Sequence, residues 1–171
     1  MELRDRVVVI TGGSGGIGQA MARAFLAEGA AHITLADLSE EAVSGAASAI
    51  GCNGRACDVT DEQQVISLVE DVIKKHGRID LFCSNAGASA SGLLTDATNE
   101  MWQRQWDLHV MAHVYAARAA LPGMLKRGDG YLLNTASAAG LLAAMGSGPY
   151  SVTKAAAIKF AEFLSITHGD D

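Results

Sequence analysis

The stretch Arg6–Gly18, RVVVITGGSGGIG, decides how the rest of the chain is read. Residues 6–11 form a short β-branched apolar run, the pattern of a strand buried on both faces. Glycines at 12, 16 and 18 then allow a tight turn and a close approach of backbone to a ligand. A helical pattern follows over 17–28 and stops at Gly29, a residue suited to a C-cap. A strand that passes through a glycine turn into a helix leaves the helix's first N–H groups free. With the positive end of the helix dipole, they suit a phosphate. The same stretch also reads as a glycine-rich connection that binds nothing.

The alternation continues outward from this unit. HITLAD (32–37) is a second strand, and Ser39 is placed to cap a helix over 40–50, with Glu40 and Glu41 in its first turn. GRACDV (54–59) is a weaker third strand. Thr60 and Gln63 fit a capping box that opens a helix to His76, ended by Gly77. IDLFCSN (79–85) is a fourth strand, and a long helix is predicted over 99–127, with Pro122 as a kink or part of the last turn. GYLLNTAS (130–137) is a fifth strand, followed by a helix from Pro149 or Tyr150. Strands alternating with helices imply parallel strands joined by right-handed crossovers, hence an open sheet with helices on both faces. No linker or repeat interrupts residues 1–171, so one domain is expected.

The bulk properties fit. Of 171 residues, 49% are hydrophobic and 19% charged, which is the range of a folded globular chain. The net charge of −6, without a Lys/Arg cluster, gives no electrostatic case for nucleic acid or an anionic membrane. No apolar run reaches the ~20 residues of a membrane span. Cys52, Cys57 and Cys83 cannot all pair, and the charged start MELRDR is no signal peptide, so a reducing, cytoplasmic setting is expected.

In such sheets ligands bind beyond the carboxyl ends of the strands. After strand one, the glycine turn is no P-loop, since no Gly-Lys-Ser/Thr closes it. It does contain G-x-S-x-G at Gly12, Ser14 and Gly16, so a serine hydrolase with Ser14 as nucleophile is a rival reading. Only eleven residues precede that motif, so no upstream oxyanion loop is expected. After strand two stands Asp37, 19 residues beyond Gly18, near the ~20 of the acid that binds an adenosine ribose. A carboxylate accepts from a free 2′-OH and repels a 2′-phosphate, and no Arg or Lys lies in 12–18 or at 38. NAD is therefore favoured over NADP. A solvated strand-end aspartate is the alternative. After strand three, Asp58 and Val59 offer an acceptor and an apolar wall to an adenine, or simply precede a helix cap. After strand four, Asn85, Ala86 and Gly87 let a cofactor lie against the backbone, or form a turn. After strand five comes Ser137, and thirteen residues later Tyr150. Lys154 lies four residues further, on the same helix face as Tyr150. A nearby ammonium favours a phenolate, which turns a poor acid/base into a usable one. Taken alone, such a pair is more often a surface feature.

Together these residues resemble the short-chain dehydrogenase/reductase family over residues 6–171. The family's T-G-x-x-x-G-x-G falls on Thr11–Gly18, its N-N-A-G on Ser84–Gly87 with Ser84 replacing the first Asn, its serine on Ser137 and its Y-x-x-x-K on Tyr150 and Lys154. The resemblance implies a Rossmann-type, doubly wound α/β/α fold. It implies NAD-dependent hydride transfer between an alcohol and a carbonyl. Tyr150 would be the acid/base, Lys154 would hold the nicotinamide ribose, and Ser137 would orient the substrate oxygen. Ser14, Ile17 and Leu38 join Gly12, Gly16, Gly18, Asp37, Asp58, Val59, Asn85, Ala86 and Gly87 as expected cofactor contacts. A non-catalytic nucleotide-binding or scaffolding protein of the same fold is the alternative.

Two departures follow. His109 stands where the family carries a fourth catalytic residue, an asparagine that anchors a relay water; histidine can support or weaken that relay. His109 and His113 are also four apart, but HVMAH lacks the Glu of H-E-x-x-H, so no metal is expected. The second departure is that the family continues into further strands and a substrate lid, and YLLNTA would be an exposed apolar edge without them. More chain is therefore expected beyond Asp171. Resemblance also implies a homotetramer or homodimer through helices 99–127 and 149–168. The small, apolar runs 88–94 and 138–148 point to a hydrophobic alcohol or ketone.

Overall fold

A computed structural model of the chain describes residues 1–143 and 145–169. Ala144, within the apolar 138–148 run, and residues 170–171, where the resemblance and the chain end, lie outside the described residues. Five strands, β1 Val7–Thr11, β2 His32–Asp37, β3 Asn53–Ala56, β4 Leu81–Ser84 and β5 Tyr131–Asn134, form one sheet in the order β3-β2-β1-β4-β5. All four pairings are parallel. The helices are α1 Gly16–Ala27, α2 Glu40–Ile50, α3 Glu62–His76, α4 Asn99–Trp106, α5 Ala112–Arg127 and α6 Gly148–His168. This is the predicted Rossmann-type, doubly wound architecture.

Alternation along β1 explains its unbroken apolar run. Val7 and Val9 face one core with Val65, Leu68 and Val72 of α3 and Ala116 and Ala120 of α5. Val8 and Ile10 face the other, with Ala22 of α1 and Val43 and Ala47 of α2. Strand order reverses between β1 and β4, which opens the crevice where this fold takes ligands.

The boundaries differ from the sequence reading in four informative places. The cap of α3 is Asp61, not Thr60. Its Oδ1 accepts from the N–H groups of Gln63 at 2.9 Å and Gln64 at 3.3 Å. Thr60 is diverted because Asp58 accepts both its N–H and its hydroxyl. β3 ends at Ala56, so Asp58 and Val59 lie beyond it, in the turn toward α3. β5 ends at Asn134, which leaves Ser137 in the loop. The long helix predicted over 99–127 is divided: a five-residue π turn, Asp107–Met111, separates α4 from α5. Pro122 sits within α5, which runs on to Arg127 and closes on Gly128 at φ +64°.

Candidate active site

The glycine turn after β1 is built against the loop after β4. Gly12 has φ +65°, and a Cβ there would lie 2.9 Å from the Ala86 Cα, so both the turn and the packing demand glycine. Gly18 packs onto the Gly12 carbonyl, while a Cβ at Gly16 would meet nothing within 4 Å among the described residues. The Thr11 hydroxyl accepts from the N–H groups of Asn85 at 3.0 Å and Ala86 at 3.1 Å. Asn85 donates through Nδ2 to the Thr11 carbonyl at 2.9 Å and accepts from the Thr135 hydroxyl at 3.1 Å. One side chain therefore ties β1, β4 and the end of β5 together at the crevice.

Helix α1 begins without a side-chain cap, whereas Ser39, Asp61 and Thr98 cap α2, α3 and α4. An uncapped helix start leaves its first N–H groups without an intrahelical acceptor, and a Cβ at Gly16 would meet nothing within 4 Å, an arrangement suited to a phosphate. Asp37 stands beside this turn. Its Oδ2 accepts from the Ser14 N–H at 2.9 Å and the Ser14 hydroxyl at 2.6 Å, and its Oδ1 accepts from the Leu38 N–H at 2.8 Å. Ser14 thus points its hydroxyl at a carboxylate, where a serine nucleophile needs an imidazole. Ile17 and Leu38 are large apolar side chains left exposed on either side. Val59 is buried in the α3 and α5 core, and Asp58 binds Thr60 while its N–H donates to Gln64 Oε1.

The chemistry-bearing residues gather along α6. Gly140 lets the loop after β5 lie on this helix: a Cβ there would meet the Lys154 carbonyl carbon at 2.7 Å. Ser137, three residues earlier, starts a short 3₁₀ turn and accepts from the Ala139 N–H at 3.2 Å. Lys154 is 3% exposed and donates to the Thr135 carbonyl at 2.8 Å, with its Nζ 5.9 Å from the centre of the Tyr150 ring. Burial holds the Lys154 pKa below its usual value. The ring of His109 meets that of Tyr150 edge-on at 5.3 Å. Asn85, Thr135, Lys154, Tyr150 and His109 are thus linked in one cluster, with the loop bearing Ser137 against the same helix.

Residues 6–170 match the family described as short chain dehydrogenase. The chain belongs to the short-chain dehydrogenase family. It is 36% identical to meso-2,3-butanediol dehydrogenase of Serratia marcescens, over 100% of this chain and 68% of that protein. A solved short chain dehydrogenase/reductase from Burkholderia phymatum in complex with NAD superimposes with a TM-score of 0.94 at 29% identity. It covers 98% of this chain and 61% of that one. NAD+-bound xylitol dehydrogenase gives 0.92 at 29% identity, over 99% of this chain and 67% of that one. The chain spans 61–68% of the length of these relatives.

The sequence reading of this chain named Thr11 only as part of the glycine motif and missed Thr135 and Thr153 at the site. Thr11 organises the loop after β4, Thr135 links Asn85 to Lys154, and Thr153, fully buried, bonds His109. Thr153 did carry a signal, for threonine is a poor residue for a helix interior unless its hydroxyl has a partner.

Proposed function

We propose that the protein is an NAD-dependent oxidoreductase that interconverts an alcohol and a carbonyl, with residues 1–171 forming one dinucleotide-binding domain. The observation that carries this is the fixed relation of Tyr150 and Lys154 on α6, with the Ser137 loop held against that helix by Gly140. The uncapped start of α1 and the open space over Gly16 fit a pyrophosphate, with Gly12, Ser14, Ile17 and Gly18 around it. Asp37 and Leu38 would take the adenosine ribose, Asp58 and Val59 the adenine, and Asn85, Ala86 and Gly87 the nicotinamide half. Asp37, with no basic residue at 12–18 or 38, supports NAD over NADP.

When bound, the nicotinamide supplies the site that gives or takes a hydride. The protein's own groups do the rest. Ser137 orients the substrate oxygen. Tyr150 takes the alcohol proton in oxidation and returns it in reduction. Lys154 places a positive charge beside that phenol and would hold the nicotinamide ribose. The exposed apolar side chains Leu93, Leu94, Leu141 and Leu142 on the flanking loops support a small hydrophobic alcohol or ketone. Exposed Val152, Phe163 and Ile166 on α6 support a homotetramer or homodimer. Free cysteines at 52, 57 and 83 support a reducing, cytoplasmic setting. No described helix is long and apolar enough to cross a membrane.

Tyr150→Phe tests the reading. Turnover of NAD with an alcohol panel should fall by roughly 10²-fold or more, with NAD affinity by fluorescence titration nearly unchanged. Normal turnover in this variant would overturn the mechanism. NAD binding with no turnover by the wild-type chain would favour a non-catalytic nucleotide-binding protein.

A further inference from the structure

His109 stands in the π turn between α4 and α5 and has no exposed surface. Its Nε2 faces the Ala88 N–H at 3.3 Å, and its Nδ1 faces the Thr153 hydroxyl at 3.0 Å. We infer that His109 is a neutral positioning residue, locked with its hydrogen on Nδ1, that braces the Gly87–Ala88 backbone against α6 and carries no proton in the reaction.

The hydrogen count carries the argument. An amide N–H only donates, so the Nε2 facing Ala88 must be an acceptor without a hydrogen. The neutral ring's hydrogen is then on Nδ1, where it donates to Thr153 Oγ1. Thr153 spends its own hydrogen on the carbonyl of Pro149 at 2.8 Å or Tyr150 at 3.1 Å. Every donor in the run Ala88, His109, Thr153, Pro149 has one acceptor. To take up a proton, His109 would have to turn Nε2–H against another donor.

The surroundings agree. The Lys154 and Tyr150 side chains on α6 and His113 on α5 are the titratable groups near the ring. Lys154 adds a positive charge against protonation. Burial first, then Lys154, pushes the His109 pKa down to about 4. The brace acts on the site at two points. A Cβ at Gly87 would touch His109 Nε2 at 3.3 Å and Lys154 Nζ at 3.6 Å, so this loop runs closely over both groups. On the other side, the Thr153 hydroxyl fixes the first turn of α6, which carries Tyr150.

The tautomer stands on geometry alone; its catalytic consequence rests on the oxidoreductase reading. The test is two-bond ¹H–¹⁵N correlation of the five histidine rings, with His109 assigned by its loss in His109→Gln. The expected result is an Nδ1–H ring unchanged from pH 8 to pH 5. An Nε2–H ring, or titration in that interval, overturns the proposal. A second readout separates bracing from proton transfer. Glutamine keeps a donor and an acceptor but exchanges no proton, whereas leucine keeps neither. With NAD and meso-2,3-butanediol or xylitol, kcat should fall roughly 100-fold in His109→Leu and only a few-fold in His109→Gln. Equal losses overturn the brace. If the wild type oxidises neither polyol, that counts against the oxidoreductase reading for these substrates, and the ring spectrum decides the role of His109.

Discussion

Asp37 carries two tasks on one carboxylate. Oδ2 anchors the glycine turn through both donors of Ser14, while Oδ1 accepts only the Leu38 N–H and keeps a lone pair for a ribose hydroxyl. Asp37→Ala should therefore narrow the preference for NAD over NADP by about tenfold, read as the ratio of dissociation constants from fluorescence titrations. Unchanged selectivity would remove Asp37 from the ribose. The spacing from Gly18 made Asp37 legible in the sequence. Its bond to Ser14 was not legible, because it joins the ends of two strands through a turn whose shape only the folded backbone defines. His109 was legible as a departure from the family pattern. Its partners Ala88 and Thr153, 21 and 44 residues away, were not.

Single side chains also hold the elements in register. Asp80, 1% exposed, precedes β4 and accepts from the Val7 N–H at 2.8 Å and from Arg78 Nε at 3.0 Å, with Arg6 at 3.6 Å. It joins the entry of β4 to that of β1. Asp80→Ala leaves a buried N–H and two guanidinium groups without this acceptor. It should cost about 3 kcal/mol in urea unfolding, with Asp80→Asn costing less. A loss within experimental error would mean that β1 and β4 pair without it. The π turn belongs to this scale as well. Apolar periodicity ran through 99–127 without a break, because one extra residue in a turn shifts the stripe too little to read from the pattern. In the structure that turn brings His109 against Tyr150.

For the whole molecule, the histidines set the response to acid. His109 and His113 are both pushed down to about 4 by burial first and then by Lys154. Both ring nitrogens of His113 are buried without a hydrogen-bond partner among the described residues. The unfolded chain takes up protons near pH 6.5, before the folded protein does. Stability is therefore full above about pH 6.5 and is lost as pH falls from there toward 4, by on the order of 3 kcal/mol for each ring. His76 is shifted the same way, mainly by burial, and stacks on His32 at 4.0 Å. Thermal unfolding followed from pH 8 to 4 should show this decline. His113→Leu should flatten it, and an equal slope in that variant would show that His113 does not contribute.

The sequence by itself determined the parallel α/β order, the glycine turn, and the placing of Tyr150 and Lys154 one turn apart on one helix. Those follow from local pattern: a period of two or 3.6, turn residues at fixed offsets, and spacing along one helix. The tertiary structure alone decided the cap at Asp61, the π turn, the bond of Asp37 to Ser14, and the bracing of His109 between Ala88 and Thr153. In each, competing donors and acceptors are chosen by packing. Thr60 and Asp61 are equally good caps until Asp58 binds one of them. The His109 tautomer has no local cause at all, since an amide from one loop and a hydroxyl from a distant helix fix it together.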